Sequence, residues 1–90
     1  MTKLTKPAQA GTVESSDILI TLTPADPGSG MEIELVSPTV QQYGKQIKKV
    51  IIDTLTEYSI EDAFVNANDK GALDCTIEAR MRTAITRAIG

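Results

Sequence analysis

Apolar residues along the chain switch between two spacings, and the switches outline its elements. Residues 9–14 alternate weakly and residues 17–23 strongly, with Ile18, Ile20 and Leu22 on one face and Leu19, Thr21 and Thr23 on the other. A period of two is the signature of strands. Ser15 and Ser16 fall between these segments and read as the tight turn of a hairpin. Residues 23–30, TPADPGSG, hold two prolines and two glycines, which marks a loop. A second hairpin is expected beyond it, opened by Met31, Ile33 and Leu35 alternating with Glu32 and Glu34.

The spacing then lengthens. Ser37 and Pro38 suit a helix start, since serine can cap free amides and proline fits the first turn. Val40, Tyr43, Ile47, Val50, Ile51, Leu55 and Tyr58 recur three or four residues apart and predict an amphipathic stripe. Gly44 lies inside it at a cost of roughly 1 kcal/mol against alanine, tolerable where the backbone packs closely on a sheet. Lys45, Lys48 and Lys49 fall off the stripe and read as solvated. Ala63, Val65 and Ala67 alternate with Phe64 and Asn66 as one more strand, closed by a turn at Asn68, Asp69 and Gly71.

From 72 to 88, Leu73, Ile77, Met81, Ala84, Ile85 and Ala88 predict a second helix. Asp69 or Asp74 can cap its start. Arg80, Arg82 and Arg87 suit its C-terminal half and read as a solvated face. Residues 1–8 carry no period and include Pro7, so they read as a mobile arm ahead of a single domain over 9–90. The expected class is α+β: a small, mostly antiparallel sheet of three to four strands with two amphipathic helices on one face.

Composition limits what such a domain can do. Ninety residues at 41% hydrophobic content build one modest core. With one phenylalanine, two tyrosines and no tryptophan, aromatic platforms for bases are not expected. The net charge of −3 argues against nucleic acid and anionic membranes and for a basic partner surface. No apolar run approaches the ~20 residues of a membrane helix, and the charged start MTKLTKPAQAG has no apolar stretch behind it, so a cytoplasmic protein is expected. One cysteine forbids an internal disulfide, and the absence of histidine rules out serine–histidine catalysis and points away from a transition-metal site. Cys75, flanked by Leu73 and Ile77, reads as a packing residue. Glu14 and Asp17 read as solvated turn acids that keep an exposed edge from pairing, rather than as an acid–base pair.

Three segments carry a resemblance: AGTVESSD at 10–17, NDKGALDC at 68–75, and its continuation TIEARMRTAITRA. From Pro7 through the last helix the chain resembles the γ subunits of citrate lyase, the acyl carrier proteins of that enzyme. In that family the serine after a G-T-x-E segment is esterified with 2'-(5''-phosphoribosyl)-3'-dephospho-CoA through a phosphodiester. The matching position is Ser15, with Ser16 as second choice; the family tends to have glycine where this chain has Ser16.

The resemblance implies a carrier with no catalytic residue of its own. Its arm would exchange an acetyl for a citryl thioester at the α subunit, releasing acetate. The β subunit would then release oxaloacetate and restore the acetyl form. Further implied partners are the transferase that attaches the group and an acetylating ligase, with no nucleic acid and no membrane. An exposed serine on a hairpin tip suits a swinging arm. The thiol at the arm's end supplies the chemistry that the missing histidine cannot.

Two other readings compete with this one. The carrier subunit of malonate decarboxylase bears the same kind of group, and an unmodified protein-interaction domain would use Ser15 only as a turn residue. Fatty-acid-type carriers are set apart, because their aspartate-serine-leucine motif opens a helix and that tripeptide is absent here.

Overall fold

The strong alternation after the two serines becomes strand β2 (Ile18–Pro24), whose Ile18, Ile20 and Leu22 are fully buried. In this computed structural model, which describes residues 3–89, β2 pairs antiparallel with a short strand β1 (Ala8–Gly11). The predicted first hairpin is therefore present. Strand β3 (Met31–Val36) follows the proline–glycine loop, and helix α1 (Val40–Glu57) leads to strand β4 (Ala63–Asp69) and helix α2 (Asp74–Ile89). One mixed sheet results, in the order β1-β2-β4-β3.

The second hairpin does not form. β4 inserts between β2 and β3, antiparallel to β2 and parallel to β3. The physical reason is the helix: β3–α1–β4 is a crossover long enough to bring two strands together in the same direction, which a short turn cannot do. Register then sorts the faces. Ala10, Ile20 and Ala67 are cross-strand neighbours and all buried, in one core with Ile47, Ile51 and Leu55 of α1 and Ile77, Met81 and Ile85 of α2. Gln9, Thr21, Asn66 and Glu34 line up on the opposite, uncovered face. This is the expected α+β sheet with both helices on one side.

Several local readings need correction. Ser37 does not cap α1; the cap position is Thr39, with no side-chain bond to the helix. Instead Ser37 Oγ donates to Asp69 Oδ2 (2.8 Å) and accepts from the Thr39 amide (3.2 Å). Asp69 is buried and also accepts from the Gly71 and Ala72 amides. A buried carboxylate must be surrounded by donors, and that demand outranks the cap. Gly44 is buried, yet a Cβ there would meet only Val40 Cγ2, at 3.1 Å, so no close approach of the sheet explains it.

Val40 and Tyr43 are exposed, although they precede the buried Gly44 and Ile47 by one turn on the same stripe. Leu73 precedes α2 and is exposed, and Cys75 is exposed rather than packed. The buried stripe of α2 begins only at Ile77, and a residue two positions earlier points to another side of a 3.6-residue helix.

The arginines of α2 are not a merely solvated row. Arg82 pairs with Glu57 at the end of α1 and with Glu78, and its guanidinium lies 5.8 Å from the Tyr58 ring centroid. Arg87 Nη1 donates to the Gln9 carbonyl of β1 (2.7 Å), and Arg80 is engaged as described below. Of the segment read as an arm, Met1 and Thr2 lie outside the described residues. Leu4 is buried, the Thr5 and Lys6 amides both donate to the Ala88 carbonyl, and Ala8 already belongs to β1.

Candidate functional site

The β1–β2 connection, residues 12–17, projects from the end of the sheet where β4 also finishes. Gly11 opens it with φ +96°, and a Cβ at that position would sit 1.8 Å from the Ile18 carbonyl oxygen. Only glycine allows the two strands to separate there. Thr12 Oγ1 then accepts from the Glu14 amide (3.2 Å) and donates to Asp17 Oδ2 (2.8 Å). At the far side, Asp17 Oδ1 accepts from the Ile18 amide (2.7 Å).

Arg80 of α2 completes the base. Its Nε reaches Asp17 Oδ1 at 3.1 Å and its Nη2 reaches Oδ2 at 3.0 Å, a two-pronged pair that fixes orientation as well as distance. Backbone bonds tie the same loop to the end of β4: the Ser16 amide donates to the Lys70 carbonyl (2.8 Å) and the Lys70 amide to the Asp17 carbonyl (2.9 Å). Asp17 is therefore a pin and not a solvated turn acid. Ser15 and Ser16 are the central residues of the turn closed by the Asp17 amide on the Glu14 carbonyl (3.2 Å), and both are exposed. The loop's side-chain bonds run through Thr12 and Asp17 rather than through either serine.

Sequence reasoning placed both serines at the tip but missed what holds the tip still. Arg80 follows Ile77 by three and precedes Ala84 by four, so it borders the buried stripe of α2. A charge bordering such a stripe, with an acid beginning a buried strand, was the available signal. Among the described residues no group of three or more histidine, cysteine or acidic side chains could hold a metal ion, and no helix is long and apolar enough to cross a membrane.

The Arg80 guanidinium, the Thr12 hydroxyl and the Ile18 amide hold the Asp17 carboxyl at about 2, below its ordinary 3.8. A carboxylate whose folded value is depressed adds stability that is complete above its unfolded value and disappears as pH falls through the folded one. Stability should thus drop between about pH 4 and pH 2. Urea midpoints measured across that range should fall less steeply for Arg80→Met, which keeps the aliphatic stem and loses the fork.

The described residues thus form a four-stranded sheet with both helices on one face and a pinned, serine-tipped loop at one end. A family model described as Malonate decarboxylase delta subunit (MdcD) matches residues 5–88. The fold also matches a chain in the crystal structure of a Pseudomonas malonate decarboxylase hetero-tetramer in complex with malonate, with a TM-score of 0.74 at 19% identity over 98% of this chain and 92% of that one. Closer in sequence are the citrate lyase acyl carrier proteins of Lacticaseibacillus casei, 57% identical over 82 residues (91% of this chain, 79% of that one), and Oenococcus oeni, 51% identical over 87 residues (97% and 88%). The chain belongs to the citrate lyase acyl carrier protein family.

The second serine of the tip carries a structural cost. Ser16 adopts φ +63°, a left-handed conformation that glycine adopts freely and other residues pay for. Ser16→Gly is expected to raise stability by about 0.5–1 kcal/mol, measured by urea denaturation at neutral pH.

Proposed function

We propose that this chain is the acyl carrier subunit of citrate lyase, with 2'-(5''-phosphoribosyl)-3'-dephospho-CoA joined through a phosphodiester to Ser15. The observation that carries the reading is the loop itself: an exposed serine at the tip of a turn whose base is fastened by Asp17, Arg80 and Lys70. Such a loop offers its exposed hydroxyl to a transferase from a fixed position. When bound, the group supplies a thiol that carries acyl units as thioesters.

The chain's own residues hold and present the arm. The Arg80 fork ties the base of the loop to α2, and the Ser16–Lys70 bond holds the tip beside the end of β4. Ser15 is preferred over Ser16 because the Ser16 amide and backbone angles are committed to shaping the turn. The chain has no catalytic group of its own in this reading. It serves the α and β subunits of citrate lyase, the transferase that attaches the group and the ligase that acetylates it, in the cytoplasm, without nucleic acid or membrane. The family model and the solved fold favour a malonate decarboxylase carrier as the second reading. Identity of 51–57% to citrate lyase carriers against 19% to the malonate decarboxylase chain decides between them.

The test is the intact mass of the protein co-produced with its attachment enzymes, followed by fragmentation of the peptide containing residues 11–17. The expected result is one phosphoribosyl-dephospho-CoA adduct, localised to Ser15. An unmodified chain, with the same enzymes active on a known carrier, overturns the proposal.

A further inference from the structure

The apolar stripe of α1 does not stop where its buried part does. Gly44 and Ile47 are buried, while Val40 and Tyr43, four residues earlier on the same face, are 43% and 56% exposed. Opposite Tyr43, in the connection from β4 to α2, Leu73 is 69% exposed. Between them runs an open groove of about 430 Å³ whose walls include Tyr43, Ile47, Ala72 and Leu73. That volume falls within the range of small-molecule sites, which combine apolar walls with a few placed polar groups.

Its position is as informative as its chemistry. Gly71 lines the groove, and the neighbouring Lys70 carbonyl accepts the Ser16 amide. Summing the intervening bonds places the Ser15 and Gly71 Cα atoms no more than about 10 Å apart. The groove opens beside the proposed attachment point.

Resting on the attachment reading above, we infer that this groove is a docking site for the arm carried at Ser15, and that it takes the uncharged pantetheine end. The exposed Asp74 carboxylate on its rim repels the phosphates, which remain near Ser15 and Lys70. Gln46 Nε2 donates to Asp74 Oδ2 (2.7 Å) and Thr39 Oγ1 lies 3.2 Å from Ser37 Oγ, whose own proton goes to Asp69, so the Gln46 carbonyl oxygen and the lone pairs of Thr39 Oγ1 remain to accept from the pantetheine amides. Tyr43 and Leu73 cover the methylene segments. Tethering supplies an effective concentration in the millimolar range, so weak intrinsic affinity suffices to populate the docked state. Docking shields the thioester between visits to the partner subunits, which draw the arm out by binding it more tightly.

The experiment compares apo and holo protein, both ¹⁵N-labelled in a Cys75→Ser background, with loading verified by intact mass. Amide shifts are expected at residues 43–47 and 71–75 in addition to 14–17. The arm thiol should react with a disulfide reagent about threefold more slowly than in Tyr43→Ser or Leu73→Ser, the ratio for a docked population near two-thirds. Both variants alter exposed side chains, so the fold should tolerate them. Fully loaded protein with shifts confined to residues 14–17 and Lys70, or with a thiol as reactive as in the variants, overturns the docking site alone. A mass showing no adduct overturns the attachment reading and the docking site with it.

Discussion

Ser15→Ala is expected to abolish attachment of the prosthetic group and all citrate cleavage by the assembled enzyme, while leaving the carrier folded. Ser15 is exposed, and the loop is held by Thr12, Asp17, Arg80 and Lys70, none of which bonds to the Ser15 side chain. Stability should therefore change by no more than about 0.5 kcal/mol. Three readouts separate the alternatives: intact mass after co-production, urea midpoint, and turnover after mixing with the α and β subunits. No adduct, no turnover and an unchanged midpoint support the carrier reading. Full turnover by the alanine variant would mean that this domain acts by contact alone and that Ser15 is only a turn residue. The companion variant Ser16→Gly should still be loaded and active, and an adduct that disappears with Ser16 but survives at Ser15→Ala would move the attachment point by one residue.

The contrast between those two serines shows what was legible beforehand. Alternation in residues 18–24 and 63–69 has one solution once one face must be buried, so β2 and β4 were readable, as were the helices from their three- and four-residue spacing. Periodicity names faces and not neighbours. β3 alternates in the same way whether it pairs with β2 or β4, and only the packing of α1 over β3 in the assembled domain makes the parallel partner the right one. The same limit explains Val40, Tyr43 and Leu73. They fit the apolar period and yet are exposed, because a period does not say how far the elements that cover a stripe extend along it.

Long-range polar pairs were hidden for a related reason. Asp17 and Arg80 are separated by 63 positions, and Ser37 and Asp69 by 32. Each residue has a sound local explanation, as turn acid, helix-face cation, cap or turn former. The local explanations give way because a carboxylate near the core must find donors wherever the fold brings them. The site was thus legible in its exposed part, the serine tip. Its supports became visible only when α2 was laid against β1 and β2.

Those supports depend on one backbone position, and the largest loss of stability is expected there. Gly11→Ala would place a methyl group 1.8 Å from the Ile18 carbonyl oxygen and 3.4 Å from Arg80 Cδ, at a φ of +96° that side chains rarely tolerate. The first contact is with backbone, so no rotamer change relieves it. β1 would have to separate from β2 at the Gly11–Leu19 pair or adopt another φ, and either movement shifts Thr12 and with it the contacts around Asp17. A loss of about 2–4 kcal/mol follows from strain of this kind. That is a large share of the roughly 5–13 kcal/mol typical for a chain this long, and it corresponds to a fall in Tm of about 10–25 °C. Calorimetry measures the fall directly. If Gly11→Ala melts within a few degrees of the parent protein, the close approach of Gly11 to Ile18 is not what shapes the loop. If it melts far lower yet is still loaded at Ser15 in the cold, the pinned base serves stability and the transferase reads only the tip.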